Sequence, residues 1–170
     1  MEIHGRHTYR ADFATVWAML ADPDTMRQRY EGLGHRDVAI IGTEGDATTD
    51  RLVVSVHRVV DIDLPDIARK VLKPTAVCTQ TDTWRAAPDG SREGEFRVET
   101  KGQPVEIVGE VRLWPGEGDT TEFSVDLDLR VKVPIIGGKI SGVMRGDAEK
   151  LMVDEFAWND RRLAEITGGP

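Results

Sequence analysis

The chain has 170 residues, 30 acidic and 22 basic, for a net charge of −8 and a pI near 5.0. With no basic run, that charge argues against a nucleic-acid partner, whose phosphates require clustered Lys and Arg. The longest apolar stretches, such as Val133–Ile136 and Leu52–Val56, fall far short of the roughly 20 residues of a bilayer-spanning helix. A hydrophobic fraction of 39% with 17 glycines matches a globular chain. One domain over residues 1–170 is expected. Met1–Arg6 lacks the apolar core of a secretion signal and the single Cys78 cannot close an internal disulfide, so the expected compartment is the cytoplasm.

Glu2–Arg10 reads as a first strand, followed by Asp12 at a helix N-cap position ahead of Phe13, Val16, Trp17 and Leu20 at helical spacing. Asp22-Pro23-Asp24 starts a second short helix carrying Met26, Tyr30 and Leu33, closed by Gly34. From His35 to Val133 the period changes to two. Candidate strands are Val38–Ile41, Leu52–Val60, Thr75–Arg85, Gly94–Lys101, Val105–Leu113 and Thr121–Val133. The last alternates most clearly, with Phe123, Val125, Leu127, Leu129, Val131 and Val133 on one face and charged or hydroxyl groups on the other. Gly45-Asp46, Pro88-Asp89-Gly90, Gly102-Gln103-Pro104 and Pro115–Asp119 supply turn chemistry between strands, which predicts an antiparallel meander. Between two of these strands, Asp61–Leu72 carries a short helical pattern, with Asp63 or Leu64 preceding Pro65 at its start. Lys139–Ile166 is the longest element, a helix with an apolar stripe of Ile140, Val143, Met144, Ala148, Leu151, Trp158 and Ile166, widened by Met152, Phe156 and Leu163.

This order of strand, two short helices, six antiparallel strands and a long C-terminal helix resembles the helix-grip fold. Phe13–Pro23, with its Val16-Trp17 pair followed by Leu20 and Asp22-Pro23, is similar to the opening of START-like (SRPBCC) proteins, which include polyketide cyclases, pollen-allergen-like carriers and lipid-transfer domains. Val133–Ile140 and the Trp84 that closes a Thr-rich strand resemble an uncharacterised, mainly actinobacterial branch of that superfamily. The resemblance implies an α+β fold in which a seven-stranded curved sheet grips the long helix around a cavity for a hydrophobic small molecule or lipid. It implies no catalytic residue, cofactor or metal. Geometry points the same way, since a helix roughly 10 Å across cannot fill the concavity of a wide twisted sheet, and such a space is usually a pocket.

Candidate wall residues are Trp84, Phe96, Ile107, Phe123, Val125 and Leu127 on the strands, and Met144, Asp147, Leu151, Glu155 and Trp158 on the long helix. Asp147, Glu155 and Arg162 fall within or beside the apolar stripe, so each must reach solvent, find a partner or face a polar cavity. Ile67, Val71 and Leu72 are placed to rest against Ile135 and Ile136 and frame an entrance, with residues 61–73 a candidate lid.

Other motifs give less. Gly137-Gly138-Lys139 lacks the earlier glycine and the following Ser or Thr of a phosphate-binding loop. His4 and His7 point to opposite faces of a strand and cannot share a metal. Cys78 has no adjacent base and reads as a buried hydrophobe. The expected function is carriage or sensing of a hydrophobic ligand without covalent chemistry. An alternative is a cyclase, aromatase or dehydratase using Glu155, Asp147, Arg58 or His57. A protein-binding module would instead need an exposed apolar patch and a filled core.

Overall fold

The computed structural model describes residues 1–168. The elements run β1 (Glu2–Tyr9), α1 (Phe13–Ala21), α2 (Pro23–Gly32), β2 (Arg36–Glu44), β3 (Arg51–Asp61), α3 (Asp66–Arg69), β4 (Thr75–Ala86), β5 (Arg92–Thr100), β6 (Val105–Pro115), β7 (Thr121–Val131) and α4 (Gly137–Thr167). The seven strands form one sheet in the order β1-β7-β6-β5-β4-β3-β2, every pair antiparallel. With α4 across its inner face, this is the expected helix-grip fold.

The helix starts follow from their caps. Asp12 accepts from the Thr15 N–H at 2.9 Å, and Asp22 from the Asp24 N–H at 3.0 Å with Pro23 at the first helical position. Each carboxylate thus satisfies an amide that has no partner inside the helix. Because β1 pairs with β7, α1 and α2 must carry the chain from one sheet edge to β2 at the other. β7 stops at Val131 instead of Val133, where the Val133 N–H turns back onto the Val131 carbonyl at 3.0 Å. A Cβ on Gly137 would stand 2.2 Å from the same carbonyl, so the Gly137-Gly138-Lys139 segment serves a tight turn from strand into helix.

Several sequence expectations need correction. Val143 and Ile166, placed on the apolar stripe of α4, are 46% and 49% exposed. The core-facing residues Ile140, Met144, Leu151, Glu155, Asn159 and Leu163 are mostly four apart, so the stripe winds around a helix of 3.6 residues per turn instead of running along it. Ile135 does not rest on α3: it is fully exposed with φ 70°, and only Ile136 joins Ile67 and Val71. Pro65 is the residue capping α3, whereas Leu64 and Leu72 anchor the connection by burial.

The core is divided. One cluster beneath α1 and α2 gathers Tyr9, Trp17, Tyr30, Leu52, Trp84, Leu113 and Leu163, with the Trp17 and Trp84 rings edge to face at 5.4 Å. Another, at the start of α4, gathers Leu64, Leu72, Leu129, Ile140 and Met144. The middle of α4, from Ala148 to Met152, belongs to neither.

Candidate functional site

Where the core is interrupted, sheet and α4 stand apart. They enclose an inner chamber of about 200 Å³ and an outer one of about 400 Å³, which share Arg58, Val98, Ile107, Ala148 and Leu151 as walls. Trp84, Phe96, Phe123, Val125 and Leu127 line the inner chamber from the strands, and Glu155 closes it from α4. Met144 and Asp147 line the outer one, Asp147 at its solvent-exposed rim. Ile62, Leu64 and Leu72 wall the outer chamber from the α3 connection. Trp158 is the exception: its indole lies over Gly32, where a Cβ would meet Nε1 at 2.6 Å, and it packs on α2 outside the cavity. The winding of the α4 stripe accounts for this, because at that level Asn159 and Leu163 face the core. A wider depression of about 780 Å³ on the opposite sheet face has mainly charged and hydroxyl walls, including Glu2, Glu110, Asp126 and Arg130.

Two glycines shape the inner chamber. Gly94 pairs with Trp84 and Gly109 with Phe96 across neighbouring strands. A Cβ would stand 2.9 Å from the Trp84 ring at the first and 2.4 Å from the Phe96 ring at the second. Each ring therefore lies flat over a bare patch of sheet, which leaves depth for a guest.

The inner chamber has a polar end. Arg58 is 5% exposed and donates to the Gln80 carbonyl and, at 3.3 Å, to His35 Nδ1, with its guanidinium 4.1 Å over the Tyr30 ring. Gln80 in turn accepts from the Tyr30 hydroxyl at 3.1 Å and donates to Asp82 at 2.8 Å. Arg29, 7% exposed, donates to the Asn159 carbonyl at 3.3 Å, and the Asn159 amide donates to the Tyr9 hydroxyl at 3.0 Å. Neither arginine has a carboxylate oxygen within 4.0 Å among the described residues.

Burial governs the ionisation of this cluster. It pushes the Asp82 carboxyl up to about 6, against the Gln80 hydrogen bond and the Arg29 charge. Asp82 is partly buried and lines the inner chamber. Burial, and then the Arg58 charge, hold the His35 imidazole down at about 4, so it is neutral near pH 7 and accepts from Arg58. Burial works against the Arg29 charge, but Glu155 and its other anionic neighbours outweigh it and the guanidinium pKa is raised. Burial also raises the phenols of Tyr9 and Tyr30.

In the sequence Arg58 stands out only as a candidate for the enzymatic alternative, and nothing there groups it with Arg29, Gln80, Asp82 and Asn159. Strand parity was the available signal. Ala76, Cys78 and Trp84 face inward on β4, so Gln80 and Asp82 between them had to as well. The same parity puts Arg58 inward with Leu52, Val54 and Val56, and His57 on the far face of the sheet, where it cannot serve a cavity reaction. Arg162 bonds Glu165 at 3.1 Å and leaves Glu155 alone. His4 pairs outward with Asp126 while His7 stacks inward on Phe156. Among the described residues no group of His, Cys, Asp and Glu is placed to hold a metal ion.

Comparison with known proteins places this architecture. A protein from Thermus thermophilus, TTHA0849, is 15% identical with a TM-score of 0.63, covering 98% of this chain and 99% of its own. The Zhui aromatase/cyclase from Streptomyces sp. R1128 is 16% identical with a TM-score of 0.62, covering 100% and 99%. A START superfamily protein from Mycobacterium smegmatis is 12% identical with a TM-score of 0.55, covering 97% and 98%. At these identities the likeness is one of fold, and the fold is that of the START-like superfamily. No curated protein matches the sequence. The family model described as "Protein of unknown function (DUF2505)" matches residues 4–161, and the chain belongs to that family.

Proposed function

We propose that this chain, as one START-like domain in the cytoplasm, carries or senses a small amphipathic molecule, with the apolar body in the outer chamber and the polar end in the inner one. The observation that carries the reading is the interruption of the core by a walled cavity whose inner chamber is lined by Arg29, Arg58, Asp82 and Glu155. A domain of this size gains stability by filling its core, and buried charge works against stability. That the fold keeps both supports a role in holding a guest. Among the described residues no helix is long and apolar enough to cross a membrane, and the large exposed hydrophobic residues lie apart on β2, before α4 and along α4, which supports a ligand-binding role over a protein-docking one.

A second reading is enzymatic, and one observation favours it: Asp82, pushed up to about 6, faces the same chamber as Glu155. A carboxyl poised near neutrality suits proton transfer. The Zhui aromatase/cyclase shares the fold. Native mass spectrometry of freshly purified protein tests the leading reading. A co-purifying small apolar mass, released by Leu151→Trp, is the expected result. A clean apo mass, together with no uptake of an added apolar probe, would contradict it.

A further inference from the structure

The polar end of the inner chamber holds hydrogen-bonding capacity that the protein leaves unused, and that capacity is mostly of one kind. The Arg58 terminal nitrogens are engaged by Gln80 and His35, its Nε is sealed from any partner, and a tyrosine ring covers the guanidinium face. Arg29 is held by Asn159 through Nη1 and its Nε is likewise sealed, so Nη2 is its one unsealed nitrogen without a partner. The carboxylates differ. Glu155 accepts no hydrogen bond and has no cation within 4.0 Å among the described residues, and it is not among the sealed polar atoms. Asp82 accepts from Gln80 on Oδ1, which leaves Oδ2 unsealed and unpartnered. The unused groups are thus mainly carboxylate oxygens that face the chamber, and they call for a donor.

Charge and size narrow the donor further. Two guanidinium groups and two carboxylates already balance near neutral pH, so a full charge on the guest would enter a low-dielectric site unpaired. A cavity of roughly 150 Å³ holds a benzene-sized guest. The inner chamber, at about 200 Å³ and faced by Trp84, Phe96, Phe123 and Phe156, takes one substituted ring and little more. We propose that the inner chamber recognises an uncharged, hydroxyl-bearing aromatic ring, the hydroxyl donating to Glu155 and Asp82 and the ring lying among the aromatic walls. The inference rests on the cavity being a ligand site, and it adds the chemistry of the guest's buried end.

Calorimetric titration at pH 7.5 with 4-butylphenol, butylbenzene and 4-butylbenzoate tests it. These three probes share an apolar tail and differ only in the head. A hydrogen bond to a charged acceptor contributes about 1.5–3 kcal/mol, so the phenol is expected to bind at least about tenfold tighter than butylbenzene and tighter still than the benzoate. In the Asp82→Asn, Glu155→Gln double variant that margin is expected to fall to within about threefold, with butylbenzene affinity kept. Retained butylbenzene binding also shows that the variant is folded. Equal affinity for phenol and butylbenzene in the native protein overturns the inference and leaves the cavity reading standing. Tighter binding of the benzoate also overturns it, since the arginines would then set the preference. Binding of none of the three overturns the cavity reading and the inference with it.

Discussion

The two chambers lie against the same helix and share five wall residues, yet they are built by different physics. The outer one combines Ile62, Leu64, Leu72, Val105, Leu129 and Met144, from an ordinary apolar cluster that stops short of closing, with charged residues such as Asp61, Lys73, Asp147 and Lys150. The inner one sets two separate hydrogen-bonded chains, Arg58 to Gln80 to Asp82 and Arg29 to Asn159 to Tyr9, against aromatic rings. Apolar walls tolerate change as long as volume is respected. A buried polar network fails when one member is removed, because the remaining groups lose partners that water cannot replace. The outer chamber should therefore act as a permissive space and the inner one as a selective site.

Substitutions separate the two. Arg58→Met should show the largest effect, a loss of about 3 kcal/mol in urea unfolding, because Gln80 and His35 lose a donor and the buried carboxylates lose a compensating charge. A loss under about 1 kcal/mol would mean the network is already wet. Asp82→Asn should act in the opposite direction. The folded-state pKa of Asp82, about 6, lies above the unfolded value of 3.8. The folded protein therefore holds more protons between those values, and stability falls as pH rises through that window. Removing the group should stabilise the protein by slightly under about 3 kcal/mol at pH 7, while weakening the head-group preference. A destabilised Asp82→Asn would show that the charge is part of the fold and not of the site.

A smaller signal lies in the pH profile. His35, held down at about 4, acts with the reverse sign: its stabilising contribution is present above pH 6.5 and is lost as pH falls toward 4. The two groups oppose each other between about pH 4 and 6 in the native protein. Asp82→Asn should expose the His35 slope, so the variant loses stability on acidification more steeply than the native chain does. Parallel profiles would break the pairing. The smallest effect is expected in the outer chamber, where Met144→Trp should cost under about 1 kcal/mol because the ring has space to enter, against about 1–3 kcal/mol for overpacking a filled core.

The same contrast governs what the sequence reveals. Period-two alternation, the caps Asp12 and Asp22, and the glycine- and proline-rich turns were enough to place every strand and helix to within a few residues, because they report local backbone physics. They also picked out the apolar walls, since Phe123, Val125 and Leu127 alternate and Met144 and Leu151 recur at helical spacing. The polar end was hidden because Arg29, Gln80, Asp82 and Asn159 look in isolation like surface residues. Only the parity of their strand or helix, set by buried neighbours such as Trp84 and Cys78, turns them inward. Trp158 failed for the converse reason: an aromatic on the nominal stripe was displaced by the winding of that stripe around α4.

The central claim is that the space between sheet and α4 is a binding cavity, and Leu151, shared by both chambers, is the place to test it. The measurement is a fluorescence titration of the uncharged probe N-phenyl-1-naphthylamine into the native protein and Leu151→Trp, with urea unfolding of both in parallel. A guest-sized void predicts saturable binding to the native protein, a loss of at least about tenfold in the variant, and a stability change under about 1 kcal/mol. Absence of binding to the native protein, with Leu151→Trp unfolding as an overpacked core would, contradicts the account.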